Sequence, residues 1–181
     1  MPQEPMREMV IYGVSFDVAS HQPIVLLKTA DENRYLPIWV GLPEAQAILL
    51  KLQNAVPVRP MTHDLLTDII GLFDAEITRV TVTELRDNTF YGRITLTQNG
   101  SEIEIDSRPS DAIALAVRFG ATIYAADDVI DVSSIELEGD DGPDEAEQQE
   151  MVREFKRFLD EVSPDEFAAE APVEEEEEKD G

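Results

Sequence analysis

The chain contains no cysteine, one tryptophan and few basic residues. Of its 181 residues, 14 are Lys or Arg and 39 are Asp or Glu, which gives a formal net charge of −25. The absence of cysteine excludes disulfides, thiolate nucleophiles and Cys-ligated zinc, and it fits a reducing compartment. No apolar run approaches the roughly 20 residues that span a bilayer, and the first residues lack the basic and apolar regions of a signal peptide. We therefore expect a cytoplasmic protein with no membrane partner.

The acidic residues are concentrated towards the C-terminus. Residues 131–181 hold 21 acidic and 4 basic residues, a formal charge of −17, whereas residues 1–130 carry −8. We predict a domain over residues 1–135, an acidic extension over 136–170 and a disordered acidic tail over 171–181. The extension contains an amphipathic helix (about 143–162), whose apolar stripe comprises Met151, Val152, Phe155, Phe158, Leu159 and Val162. This stripe predicts docking on the domain, on a second copy of the chain or on a partner.

The domain consists of two similar halves. In each half, three segments with strand patterning precede a helix that begins near a proline, Pro43 in the first half and Pro109 in the second. A shift of 66 residues places Pro43 on Pro109 and also Val14 on Val80. The sequence therefore predicts an α+β fold: a single domain built from a duplicated β-β-β-α unit, with mixed sheets packed against helices.

Three further expectations concern single elements. A helix between the halves begins at Thr62, which is a good N-cap residue, and its apolar face comprises Leu65, Leu66, Ile69, Ile70 and Phe73. A strand over 122–126 and a short helical turn over 127–132 follow the second half. Trp39 lies in an apolar strand and is expected to pack in the core.

Few side chains are available for catalysis. The glycine-rich phosphate loop, the dinucleotide fingerprint and the zinc-binding helix motif are all absent, and the two histidines are His21 and His63. His21 lies in a polar turn. His63 lies beside Asp64 in the first turn of a predicted helix, where the helix dipole disfavours the charged imidazolium. A neutral His63 can act as a general base or a metal ligand; the alternative is a residue that only packs at the start of the helix.

A second group of polar residues connects a predicted strand to a predicted helix. Asp106 ends the strand, Arg108 lies in the turn, and Ser110 and Asp111 lie at the helix start. Carboxylates at this position can hold a divalent cation, while the guanidinium and the helix N-terminus favour a phosphate. The structural alternative is that Asp111 interacts with the helix dipole and that Arg108 pairs with Asp111 or Asp106.

Three segments together resemble the bifunctional nuclease domain family. They are LPIWVG at 36–41, followed by Glu44-Ala45, then RPMTHDLL at 59–66 and RPSDAIALA at 108–116. The similar region runs from about Glu8 to Val132. The resemblance implies a duplicated α+β domain and, as the family's name states, a nuclease that acts on both DNA and RNA.

The site hypothesis combines this resemblance with the chemistry of the matched residues. Phosphodiester hydrolysis needs an activated water and a counter-charge for the phosphoryl oxygens. The predicted catalytic residues are His63, Asp64 and Asp111. The predicted substrate-binding residues are Arg59, Thr62, Arg108 and Ser110, with Arg108 or Arg59 as the phosphate clamp. Asp106 and Asp111 are the predicted ligands of Mg²⁺ or Mn²⁺, and Tyr35 and Trp39 are candidates for stacking on a base.

Two functions stay open at this stage. One is a nuclease with DNA and RNA as partners, and the other is a non-enzymatic regulatory module that binds an anion or a protein with the same fold. Apolar helix faces also make a homo-oligomer a possible state. Convergence of the acidic residues and His63 on one accessible pocket favours hydrolysis, whereas dispersal or internal salt bridges favour the module.

Overall fold

The computed structural model describes residues 5–17 and 22–136, together with Arg153. His21 and, apart from Arg153, the acidic extension and tail after residue 136 lie outside the described residues. None of the helices in the described ranges is long and apolar enough to cross a membrane.

Strands and helices follow the order expected from the sequence. The first half comprises β1 (Met6–Asp17), β2 (Gln22–Thr29), β3 (Arg34–Trp39) and α1 (Leu42–Leu52), followed by α2 (Thr62–Leu72). The second half comprises β4 (Ala75–Arg86), β5 (Thr89–Gln98), β6 (Ser101–Ser107) and α3 (Pro109–Phe119), followed by β7 (Thr122–Ala126), α4 (Asp127–Ser133) and β8 (Ile135–Glu136). The α+β class and the recurring β-β-β-α unit are confirmed.

The strands form a single mixed sheet with the order β6-β5-β4-β7-β1-β2-β3-β8. Two antiparallel meanders, β1-β2-β3 and β4-β5-β6, flank β7, which pairs antiparallel with β1 and parallel with β4. Pro37 is tolerated in β3 because, among the described residues, β8 pairs only with Arg34 and Tyr35, so that β2 is the one strand beside Pro37. The two halves thus share one continuous sheet.

Helices cover both faces of the sheet. On one face, α1 packs on β2 and α3 packs on β4 and β5, and the two helices contact each other. Helix α3 is deeply buried, since every residue from Ala112 to Ala116 is at most 2% exposed. On the other face, α4 packs against β4, where Val129 and Val132 line a cleft together with Thr83 and Arg93.

Gly92 lies in β5 directly beneath the start of α3. A Cβ atom built at Gly92 would lie 3.0 Å from the Ser107 carbonyl oxygen and 3.0 Å from the Pro109 nitrogen. Because both neighbours are backbone atoms, we expect Gly92→Ala to lower the free energy of unfolding by about 1–3 kcal/mol. Gly71→Ala in α2 is the control: no atom lies within 4 Å of its Cβ position, and alanine favours the helix by about 1 kcal/mol. Urea unfolding measures both variants, and equal effects would contradict the packing argument.

The exposure of several apolar and aromatic side chains differs from what the sequence suggests. Trp39 is 48% exposed because Ile38 takes the core-facing position and the next residue of a strand points to the opposite side. Tyr35, one of the two candidates for base stacking, is instead 1% exposed, and its hydroxyl donates a hydrogen bond to Asn33 Oδ1 (2.9 Å). In α2, Ile70 packs against the core, whereas the rest of the predicted apolar face is at least 40% exposed: Leu65, Leu66, Ile69 and Phe73.

Candidate functional site

Side chains from the starts of three helices contact one another. His63 lies in the first turn of α2, Glu44 in the first turn of α1, and Arg108 and Asp111 at the start of α3. His63 Nε2 is 3.0 Å from Asp111 Oδ1, and Arg108 Nε donates to Asp111 Oδ2 at 2.8 Å. Arg108 Nη2 donates to Glu44 Oε1 at 2.7 Å. We call His63, Asp111, Arg108 and Glu44 the site cluster.

The protonation states within the site cluster follow from its hydrogen bonds. Burial alone would raise the pKa of Asp111, but hydrogen bonds from Arg108 and His63 outweigh it and hold this pKa below its usual range. Asp111 is therefore a carboxylate, which can only accept hydrogen bonds. His63 Nε2 must then carry the proton in this contact, and in the neutral ring the free lone pair lies on Nδ1.

Arg108 is the solvent-facing member of the site cluster. Its side chain is 65% exposed, compared with 29% for Asp111, 14% for Glu44 and 10% for His63. Hydrogen bonds to Asp111 and Glu44 raise the pKa of Arg108. The cluster thus exposes a guanidinium whose Nε and Nη2 are both engaged, by Asp111 and Glu44, with an imidazole behind them.

The position of Glu44 depends on Gly41, the residue that precedes α1. A Cβ atom at position 41 would overlap Glu44 Oε2. Glycine therefore leaves the space in which the Glu44 carboxylate folds back over the start of the helix. Both residues belong to the first of the three family-like segments, yet the sequence pattern predicted no role for either of them.

A buried arginine connects Asp64 to α3 and α1. The Arg118 side chain is 5% exposed, and its Nε donates to Asp64 Oδ1 at 2.7 Å. Its two other nitrogens donate to backbone carbonyl oxygens, at 2.7 Å to Ala114 in α3 and at 3.2 Å to Ala47 in α1. Arg118 is absent from the sequence-based site. It fixes the start of α2 against two other helices and so positions His63.

Asp64 also accepts a hydrogen bond from a backbone N–H group at the start of α2. Its Oδ2 accepts a hydrogen bond from the Met61 backbone N–H at 2.9 Å. The N-cap residue is Met61 rather than Thr62, so the predicted capping role of Thr62 is wrong. Burial alone would raise the pKa of Asp64, but the Met61 amide and Arg118 outweigh it and lower this pKa.

The remaining predicted residues are distributed around the site cluster. Arg59 is exposed in the loop between α1 and α2, and Thr62 is exposed next to His63. Ser110 is 7% exposed in the first turn of α3. Asp106 pairs with Arg93 in the sheet register, whereas Ile105 pairs with the buried Ile94 beneath α3. Because side chains alternate along a strand, Asp106 points to the sheet face opposite α3, away from Asp111.

The described residues contain no ready-made group of metal ligands. Within the described ranges, no three His, Asp or Glu side chains are grouped so that they could hold a metal ion. Asp111 and Asp64 are each engaged by a guanidinium, from Arg108 and Arg118 respectively. This arrangement does not fit a preformed Mg²⁺ or Mn²⁺ site at Asp106 and Asp111.

Comparisons with known proteins give a family model and several relatives. Residues 25–138 match the model of the bifunctional nuclease domain. Two uncharacterized proteins of Mycobacterium tuberculosis, from strains CDC 1551 and H37Rv, are 38% identical over 166 residues, which cover 91% of this chain and 99% of theirs. Bifunctional nuclease 1 of Oryza sativa subsp. japonica and of Arabidopsis thaliana are 30% identical over 105 residues. This match covers 56% of this chain and 32% of each plant protein.

Proposed function

The chain belongs to the bifunctional nuclease domain family, and from this premise we propose that it hydrolyses phosphodiester bonds of DNA and RNA. The observation that supports the proposal is the contact between His63 and Asp111 beside the exposed guanidinium of Arg108. A base candidate oriented by a carboxylate, next to a cationic fork, is an arrangement suited to phosphoryl transfer.

Arg108 is the proposed phosphate clamp. Its fork matches two oxygens of a phosphate group, and its exposure allows it to exchange a carboxylate partner for the substrate. As water attacks, negative charge grows on the non-bridging oxygens, and a guanidinium held next to them stabilises that charge. Glu44 and Asp111 keep the guanidinium in place before the substrate arrives.

His63 is the proposed general base. Asp111 accepts a hydrogen bond from Nε2–H and orients the ring, which leaves Nδ1 to take a proton from the attacking water. The water oxygen forms the new bond to phosphorus, the ester bond breaks, and the leaving oxygen takes a proton from solvent. Asp111 then stabilises the imidazolium that this transfer creates. Dependence on Mg²⁺ or Mn²⁺ stays a prediction, and none of these steps uses a bound ion.

The internal ion pairs favour a second candidate function, a non-enzymatic module that binds an anion or a protein. Arg108 is held by Glu44 and Asp111, and Asp64 is held by Arg118, as expected for residues that define a fold. In that case the same guanidinium binds an anion or a protein carboxylate without cleavage. The net charge does not decide between the two functions, because −17 of the −25 lies in residues 131–181.

His63→Ala is expected to lower the rate of DNA and RNA cleavage by about 10²–10⁴, the range that a general base contributes. The assay uses end-labelled single strands with Mg²⁺, with Mn²⁺ and with EDTA. His21→Ala is the matched control, because His21 is the other histidine of the chain, and it should retain wild-type activity. Equal cleavage by wild type and His63→Ala would refute the site. Binding of the strands without any cleavage by the wild type would favour the module.

A further inference from the structure

The outward face of α2 is apolar and has no cover among the described residues. Leu65, Ile69 and Leu72 recur at spacings of four and three residues, and Leu66 and Phe73 lie beside them. Their exposures range from 40% for Leu66 to 82% for Leu72. Single exposed apolar side chains are ordinary, but five on one short helix are typical of a docking surface. We call these five residues the α2 face.

The surroundings of the α2 face extend its apolar area and give it a negative charge. Val56 and Val58, in the loop before α2, are 92% and 100% exposed. Residues 56–78 contain one basic residue, Arg59, and four acidic residues: Asp64, Asp68, Asp74 and Glu76. Asp64 is neutralised by Arg118, which leaves Asp68, Asp74 and Glu76 as the other acidic residues of this region. A suitable occupant is therefore apolar on one side and carries basic residues.

We propose that residues 151–162 of the same chain dock on the α2 face. This segment has the apolar stripe of six residues described above, two of them phenylalanines. It also holds three of the four basic residues found in residues 131–181: Arg153, Lys156 and Arg157. Its apolar stripe and its bases complement the surface around α2 in both hydrophobicity and charge. The proposal does not depend on the proposed nuclease function.

The length of the chain permits this docking. The described domain ends with β8 at Glu136, and residues 137–150 connect it to the docking segment. Fourteen extended residues span up to about 46–50 Å, whereas a domain of this size has a radius of gyration of about 14 Å. In the sheet, β8 lies five strand spacings, roughly 24 Å, from β4, the strand that α2 contacts, so the segment can reach α2.

Covalent attachment favours this segment, rather than a second copy of the chain, as the occupant of the α2 face. A tethered segment has an effective concentration on the order of millimolar, well above ordinary protein concentrations. Two copies that each carry −25 also repel one another.

The docking segment also lies in the part of the chain that matches its relatives. The match to the M. tuberculosis proteins leaves only 9% of this chain uncovered. Because 19 residues follow Val162, residues 151–162 lie inside the match even if the whole uncovered part is at the C-terminus.

Engineered cysteine pairs test the proposal in the full chain, which has no cysteine of its own. Ile69→Cys, at the centre of the α2 face, is combined with one cysteine on the apolar stripe, at Met151, Phe155, Phe158 or Val162. Matched controls place the second cysteine on the polar side, at Arg153, Arg157 or Asp160. After mild oxidation in dilute solution, we expect the best stripe pair to form an intramolecular disulfide at least about fivefold faster than any control pair.

Electrophoresis without reductant and a thiol count separate the outcomes. Equal rates for stripe and control pairs would overturn the proposal. A disulfide-linked dimer from Ile69→Cys alone would also overturn it, because the occupant would then be a second copy.

Hydrogen exchange of the full chain gives a second measurement that needs no cysteine. Replacing Phe155 and Phe158 by Glu should accelerate exchange of the α2 amides by about tenfold, since a docked segment protects the helix it covers. Arg157→Glu, on the polar side of the same segment, should leave their exchange unchanged. Identical α2 exchange in wild type and in the Phe→Glu variant would show that the segment does not cover this helix.

Discussion

Arg108→Ala is expected to lower kcat/KM for DNA and RNA cleavage by about 10²–10³, the usual effect of removing a group that stabilises transition-state charge. The free energy of unfolding should change by less than about 1 kcal/mol, because ion pairs of a side chain that is 65% exposed contribute little to stability. Single-turnover cleavage measures the first effect, and urea unfolding measures the second. A large loss of activity without loss of stability assigns Arg108 to the reaction rather than to the fold.

Two further variants define the role of Arg108. Arg108→Lys keeps the charge but loses the fork, so we expect an intermediate loss of about tenfold. Arg93→Ala is the matched control, because Arg93 also pairs with a glutamate, Glu104, at 48% exposure but lies on the opposite face of the sheet. Wild-type activity in Arg108→Ala, or an equal loss in Arg93→Ala, would contradict the role of Arg108 as the clamp.

Arg118→Ala is expected to lower the free energy of unfolding by about 3 kcal/mol, the lower end of the range for removing one partner of a buried ion pair, because the Asp64 side chain is 28% exposed. The variant leaves the Asp64 carboxylate without its cation and removes the donors to the Ala47 and Ala114 carbonyl oxygens. For a domain of this size, the thermal midpoint should fall by at least about 10 °C. A stability close to that of the wild type would show that Arg118 does not hold α2 in place.

The pH dependence of stability gives the same ion pair a separate test. The pKa of Asp64 is lowered in the folded chain, so its stabilising effect is present above the unfolded carboxyl pKa of about 3.9. It is lost as the pH falls through the lower folded value. Asp64→Asn should therefore be clearly less stable than the wild type at pH 7, and this difference should shrink in strong acid. Asp68→Asn, four residues along the exposed side of α2, should show little difference at either pH.

The fold was predictable because the same pattern of three strands and a helix occurs twice in the sequence. The prolines at the starts of α1 and α3 and the alternating strands mark the same unit twice, and each copy supports the other. The exposure of Trp39 and of the α2 face was not predictable in the same way. Apolar character indicates that a side chain prefers burial, but the partner that buries it is decided by tertiary packing.

The site was predictable in part, for a related reason. His63, Arg108 and Asp111 lie in short motifs whose local chemistry can be recognised in the sequence. Glu44 and Arg118 act through partners 64 and 54 residues away, and no local pattern indicates such pairs. The direction of the Asp106 side chain could have been predicted from the sequence. Apolar and polar residues alternate in this strand, and Ile105 is apolar, so the side chain of Asp106 next to it points away from α3.

The most direct test of the central claim compares wild type and Asp111→Asn on the same labelled sequence as DNA and as RNA. Asparagine keeps the size of the side chain but not the charge that orients His63 and holds Arg108. If one site cleaves both nucleic acids, the variant should lose at least about 10² in rate on each, and by a similar factor. Cleavage at the wild-type rate on either substrate would contradict a single hydrolytic site built from His63, Arg108 and Asp111.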